Sequence, residues 1–284
     1  MNADNTFLNW EEAVEWLLHQ PEQAQLVIDC YYDNPLSGAA ERYWHSNEWL
    51  AVKERLSGRH GKALDVGAGR GIASYALAKE GFAVTALEPD SSTLVGAGAI
   101  RGLAEESGLP IQVVEDYSET LPFADSEFEV VFARAVLHHT SDLELACREY
   151  FRVLKPGGIF LALREHVISR ESDLPRFFDI HPLHKLYGGE NAYLLDRYLD
   201  AIKNSGFKQV DVLSPWHSPM NFSPYSLRSL KVELAQRASL GITFLYQILK
   251  FILDLPGVWS IARILLRKID NRPGRLYSFI AEKI

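Results

Sequence analysis

The chain has few sulfur residues, no long apolar run and no overall positive charge. Two cysteines and two methionines occur among 284 residues. Cys30 and Cys147 lie far apart, and neither sits in a CxxC or Cys/His spacing, so neither a disulfide framework nor a cysteine-held zinc site is indicated. No stretch reaches the roughly 18 uninterrupted apolar residues of a membrane-spanning helix. The nearest approach, 240–253, is broken by Thr243, Gln247 and Lys250. The segment MNADNTFLNWEEAVEW has no basic run ahead of an apolar one, so no secretory signal is read and a cytoplasmic protein is expected. The formal net charge of -8 argues against a nucleic-acid partner. Repeats and low-complexity tracts are absent.

The charge that is present is uneven. Between Arg228 and Arg275 nine Lys/Arg stand against three acids, a local excess of about +6 in an otherwise acidic chain. The rest divides by periodicity. Residues 1–60 read as a helical lead-in or cap, with Trp10, Val14, Leu17 and Leu18 and then Trp44, Trp49, Val52 and Leu56 at helical spacing. From Lys62 short apolar strands alternate with helices. Strands are expected at 63–66, 83–87, 111–115, 129–134, 158–163, 208–213 and 276–281. Helices are expected at 72–79, 91–107 (with Ser91 as its cap), 142–154 and 193–205. Such alternation implies a mostly parallel, doubly wound α/β sheet covered on both faces. Residues 166–190 and 214–274 read as insertions, so the sheet domain comprises 61–213 and 275–284.

The segment most informative about chemistry is Leu64-Asp65-Val66-Gly67-Ala68-Gly69-Arg70-Gly71, between a strand and a helix. Glycines there permit a tight turn and close backbone approach to a ligand. A glycine-rich βα turn is weak evidence alone, since dinucleotide enzymes share it. Here, however, the spacing is G-x-G-x-G, and Ile72 stands where a dinucleotide fingerprint has its third glycine. Glu88 closes the second strand, where a carboxylate can bind both ribose hydroxyls. Asp116-Tyr117-Ser118-Glu119-Thr120-Leu121-Pro122-Phe123, Val136-Leu137-His138-His139 and Arg152-Val153-Leu154-Lys155-Pro156-Gly157-Gly158 follow in order.

In these segments the sequence resembles the class I S-adenosylmethionine-dependent methyltransferases, in particular the small-molecule group with an LPF…LHH…RVLKPGG signature. The resemblance covers roughly residues 62–165. It implies a Rossmann-like seven-stranded sheet with an antiparallel C-terminal edge strand, and S-adenosylmethionine as cofactor. By position, Asp65, Gly67, Ala68 and Gly69 would line the methionine portion. Glu88 would hold the ribose, Pro89 would lie against the adenine, and backbone near Ala133 would meet the amino-acid part. The family's adenine-binding aspartate falls at Tyr117 here, with Asp116 one place earlier, so either position is a candidate for that contact.

Methyl transfer from a sulfonium demands in-line positioning and exclusion of water, with a base only where the acceptor must lose a proton. His138 is the candidate base, and His139 reads as a loop-fixing residue. The first insertion reads as an acceptor lid, with His166, His181, His184 and Tyr187 as candidate substrate-binding residues. His181-Pro182-Leu183-His184 has no third ligand at a defined spacing, so no metal is expected. Between 240 and 253 a narrow polar stripe on a wide apolar surface predicts burial, as cap or homodimer core. The basic residues of 228–275 also suit peripheral contact with an anionic membrane. The expected acceptor is a small molecule, a glycan or a lipid-linked compound, methylated on oxygen or nitrogen. The competing readings are a silent cofactor-binding scaffold and a nicotinamide dehydrogenase.

Overall fold

A computed structural model describes residues 7–284. Residues 1–6, part of the lead-in and of the segment searched for a signal, lie outside the described residues. Eight strands form one sheet: β1 (Lys62–Val66), β2 (Ala83–Leu87), β3 (Ile111–Val114), β4 (Phe128–Arg134), β5 (Leu154–Ile168), β6 (Tyr193–Leu194), β7 (Val210–Leu213) and β8 (Arg275–Glu282). Their order is β3-β2-β1-β4-β5-β8-β7, with β6 extending the sheet beside the end of β5. Only β8 runs antiparallel to its neighbours.

The central strands are apolar on both sides because both sides are covered. Along β4, Val131 and Ala133 face one core, packed by the Leu143–Val153 and Leu195–Asn204 helices. Val130 and Phe132 face the other, packed by the Ile72–Lys79 helix and the lead-in helix Asn47–Leu56. Trp49, a lead-in aromatic, is fully buried there. Cys147 is fully buried in the first core, and its thiol titrates above its ordinary range because of that burial.

Four features depart from the expectations. The C-terminal strand is not the edge: β8 inserts between β5 and β7, and β7 takes the edge. Strand β5 runs on to Ile168, so His166 belongs to the sheet and not to an insertion. Against β8 it carries one extra residue between Ala162 and Glu165, with Arg164 at φ +60°. Such a bulge turns the following side chains and is common beside functional sites. The helix expected from Ser91 starts instead at Ala97 without a side-chain cap. A turn precedes it, in which Ser92 Oγ accepts from Val95 N–H and the Asp90 carbonyl accepts from Ala97 N–H.

The fourth departure is the second insertion. It forms the helices Leu227–Ala238, Thr243–Asp254 and Val258–Ile269. The expected burial within the chain is not found, for the last two helices contain no buried residue. Phe244 is 77% exposed, Phe251 67%, Ile261 63% and Ile269 72%. One helical layer cannot cover the apolar stripes of both neighbours, so the outer stripes face outward. No helix among the described residues is long and apolar enough to cross a membrane.

Candidate active site

The loop after β1 is built by three left-handed glycines, Gly67 (φ +57°), Gly69 (+55°) and Gly71 (+82°). At Gly67 a side chain would be strained twice over, because an added Cβ would also lie 2.8 Å from Val136 Cγ2. The loop after β4 is thereby pressed against the glycine loop. At Gly69 the nearest atom to an added Cβ is 3.9 Å away, so this turn borders open space. Glu88 spans the same region. Its Oε2 accepts from Gly69 N–H at 2.7 Å and its Oε1 from Asp90 N–H at 3.0 Å. Each oxygen keeps a second lone pair, so the carboxylate can still accept from two hydroxyls. Burial raises its pKa.

The other proposed cofactor residues divide by environment. Asp65 is buried and accepts from Ser74 Oγ–H at 2.6 Å; burial pushes its carboxyl up to about 7. Pro89 is exposed beside Glu88. Asp116 turns back to accept from Tyr117 N–H, while Tyr117 is 69% exposed. Ala133 is fully buried and paired on both sides, with Val66 and Ala162. The chain leaves the sheet only after Arg134, turning at Ala135 (φ +57°). Ala133 thus pairs with the residue just before Gly67, and beyond the turn the Val136 side chain packs against Gly67 itself. Arg70 was not foreseen. It donates to the Tyr31 carbonyl at 2.9 Å and to Asn34 Oδ1 at 2.8 Å, tying the glycine loop to the lead-in.

Beyond Val136 lies a buried cluster. The bulge in β5 points Glu165 inward. Its Oε1 accepts from Val136 and Leu137 N–H at 3.1 and 3.2 Å, and its Oε2 from His138 N–H at 3.2 Å and His138 Nδ1 at 2.6 Å. Burial outweighs those donors and raises Glu165 to about 7, while burial lowers His138 well below the ordinary imidazole value. His138 Nε2 faces Glu190 Oε1 at 3.5 Å. His184 and His166 reach the same oxygen at 3.9 and 4.0 Å, and His139 Nε2 reaches Glu190 Oε2 at 4.0 Å. Burial pushes Glu190 up to about 8.

The structure thus brings His138, His166 and His184 together around Glu190, while His181 packs against the outer side of the His184 ring at 4.8 Å. His181 Nδ1 accepts from Leu183 N–H and starts the short Pro182–Leu186 helix. Tyr187 stacks edge-on with Trp10 at 5.0 Å, and its backbone bridges to Leu8, so the lead-in closes over the lid. Glu165 and Glu190 belong to the polar cluster that the sequence shows in and beside the first insertion, but sequence alone assigned neither a specific role. The register of β4 and β5 was the missing information, since it sets Leu163 beside Arg134 and so Glu165 beside the loop that follows.

A family model described as a methyltransferase domain matches residues 64–162. The ubiquinone/menaquinone biosynthesis C-methyltransferase UbiE of Bartonella henselae is 31% identical over 214 residues, 70% of this chain and 78% of that protein. This chain belongs to the class I S-adenosylmethionine-dependent methyltransferases. Cycloartenol-C-24-methyltransferase 1 of Oryza sativa subsp. japonica is 29% identical over 193 residues, 62% of this methyltransferase and 54% of the rice protein. Geranyl diphosphate C-methyltransferase of Streptomyces coelicolor A3(2), solved with S-adenosyl-L-homocysteine, shares the fold. Its TM-score is 0.56 at 15% identity, over 95% of this methyltransferase and 84% of that chain. S-adenosylmethionine is the cofactor, and the glycine loop fits it, with an open turn at Gly69 and a buried carboxylate beside it.

Proposed function

We propose that this methyltransferase modifies a hydroxylated, largely apolar small molecule, at a carbon activated by a neighbouring hydroxyl or at that hydroxyl itself. The observation that carries this reading is the His138–Glu165 pair beside the glycine loop. Bound S-adenosylmethionine supplies an activated methyl group on a sulfonium. The chain's own residues have three tasks. Gly67, Ala68, Gly69, Glu88 and Pro89 hold the donor, with Asp65 bracing the loop from below and Asp116 and Tyr117 at its rim. His138 receives a proton from the acceptor hydroxyl through Nε2, with Nδ1–H fixed on Glu165. Trp10, Tyr187 and the lid exclude water.

The sequence alone favoured oxygen or nitrogen as the methylated atom. The relatives weigh towards carbon, and towards quinone and sterol compounds over glycans. Labelled methyl transfer to a panel of phenols, quinols and sterols, with mass spectrometry of the products, tests this. Transfer to sugars alone would overturn it.

Donor binding has its own test. Glu88→Ala is expected to weaken S-adenosylhomocysteine binding by about 1–3 kcal/mol in calorimetry, through lost charged hydrogen bonds and a loosened Gly69. Unchanged affinity in a folded variant would refute the ribose role.

An apolar acceptor also gives the outward-facing helices a task. We propose that Thr243–Asp254 and Val258–Ile269 rest on an anionic membrane surface. Phe244, Phe251, Ile261 and Leu265 would enter the headgroup region, with Lys250, Arg263, Arg267 and Lys268 beside them. Each cation near such a surface contributes about 1 kcal/mol. The chain should float with phosphatidylglycerol vesicles and not with phosphatidylcholine ones, and Phe251→Asp with Leu265→Asp should abolish flotation. A dimer that stays in solution with either vesicle would assign this face to a second copy.

A further inference from the structure

We infer that Glu190, His166 and His184 hold a divalent transition-metal ion on the acceptor side of the methyl-transfer site. The argument begins with the hydrogens. His166 Nδ1 lies 3.2 Å from the Gly274 carbonyl and His184 Nδ1 lies 3.3 Å from the Phe177 carbonyl. A carbonyl oxygen only accepts, so each Nδ1 carries the hydrogen and each neutral ring presents a bare lone pair at Nε2. Glu165, as a carboxylate, fixes His138 in the same sense.

Three lone pairs therefore converge on Glu190 Oε1, an oxygen that is itself buried and takes no hydrogen bond. Acceptors facing an acceptor repel unless something positive lies between them. A proton on Glu190 would satisfy one ring and leave the others unmatched. A divalent ion would satisfy Oε1 and the His166 and His184 lone pairs together, leaving only His138 Nε2 free.

The arrangement also has the form of a ligand set. The donor atoms of His166, His184 and Glu190 all lie within 4.8 Å of one another. A tetrahedral ion with bonds of about 2.1 Å spaces its donors about 3.4 Å apart. The distances of 3.9 and 4.0 Å to Oε1 therefore need to shrink by about half an ångström. Each histidine's other nitrogen is oriented by a backbone carbonyl, the usual outer support of a metal-bound imidazole. Two histidines and one carboxylate favour iron, manganese, cobalt or zinc over calcium and leave coordination positions open. His138 approaches the same oxygen at 3.5 Å from the loop pressed on Gly67 and stays outside the set. An acceptor with a phenolic or enolic oxygen would occupy an open position. The ion's charge would ease loss of the hydroxyl proton, and His138 Nε2 would take it. This use of the ion rests on the methyltransferase reading above; the site itself does not.

The experiment is titration of the tag-free, chelator-treated chain with Co(II), read by visible absorption and by metal content after gel filtration. S-adenosylhomocysteine calorimetry on the same samples reports cofactor binding and folding. One equivalent of Co(II) is expected, with the ligand-field bands of a low-coordinate nitrogen/oxygen site. Glu190→Gln and His184→Ala should each weaken it at least about tenfold. His19→Ala, at an exposed histidine in the lead-in outside the cluster, should leave it unchanged. Absence of saturable Co(II) binding to the wild-type chain would overturn the inference, as would equal binding to Glu190→Gln. Cofactor binding without Co(II) binding sinks the metal site and leaves the methyltransferase reading standing. Co(II) binding without cofactor binding does the reverse.

Discussion

Glu48→Ala is expected to destabilise the fold by about 3–5 kcal/mol, the cost of removing one member of a buried ion pair and leaving the other charge unmatched. Glu48 is fully buried at the start of the Asn47–Leu56 helix. Its Oε1 accepts from Arg134 Nε at 2.6 Å and its Oε2 from Arg134 Nη2 at 3.1 Å, a two-pronged contact. Arg164 approaches Oε2 at 3.5 Å and Tyr43 OH donates to Oε1 at 3.2 Å. Removal would strand two guanidiniums at the end of β4 and in the β5 bulge, below both loops of the site. Urea unfolding should show a lower midpoint with an unchanged slope. Glu48→Gln, which keeps one acceptor oxygen, should lose less. The pH dependence has a definite sign. Burial alone would raise the Glu48 pKa, but Arg134 and Arg164 outweigh it and the folded-state value lies below the ordinary one. A group depressed in the folded state stabilises above its unfolded pKa of about 4.3 and loses that contribution as pH falls through the folded value. The stability gap between wild type and Glu48→Gln should therefore be widest near neutrality and close in acid. A gap independent of pH, or a loss under about 1 kcal/mol for Glu48→Ala, would show that the network contributes little.

The same pair shows where sequence reading stops. The βαβ alternation, the glycine loop and the carboxylate ending β2 are local signals, and they located the sheet strands and the loops after β1 and β2 to within a few residues. Strand β4 was readable because both its faces are apolar, and Asp142 was readable as the start of a helix because its side chain caps Leu145 N–H. The proposed acceptor side depends on pairings that no local pattern encodes. Glu48 meets Arg134 across 86 residues, and Glu165 reaches the 136–138 loop only because β5 bulges after Ala162. Residues 154–168 were cut short at 163 because Arg164, Glu165 and His166 look like the end of an apolar strand. They are instead polar residues turned inward where the core becomes a site. The apolar stripes of 243–269 misled in the opposite direction. Periodicity says which face is apolar, and it does not say whether the chain possesses anything to cover it.

The largest effect on turnover should come from the acceptor side. His138→Gln is expected to lower kcat by about 10²–10⁴, the usual contribution of a positioned base, with S-adenosylhomocysteine affinity within about twofold of wild type. His138 is 2% exposed and its ring is fixed at Nδ1 by a carboxylate with four donors, so Nε2 has one direction to face. Glutamine can replace the hydrogen bond to Glu165, but it has no second basic nitrogen to offer. In the proposed mechanism Glu165 acts through His138, as a positioning residue. Glu165→Gln presents an amide N–H₂ towards backbone N–H groups, so it should cost stability as well as turnover. The distinction is measurable. A base at His138 predicts that His138→Gln folds with nearly wild-type stability and fails in kcat, while Glu165→Gln is impaired in both. The loss at His138 should be smaller for an acceptor whose hydroxyl is already ionised at the assay pH, because no proton then needs a home. Equal losses on acidic and weakly acidic phenols would mean that the ring shapes the pocket and takes no proton.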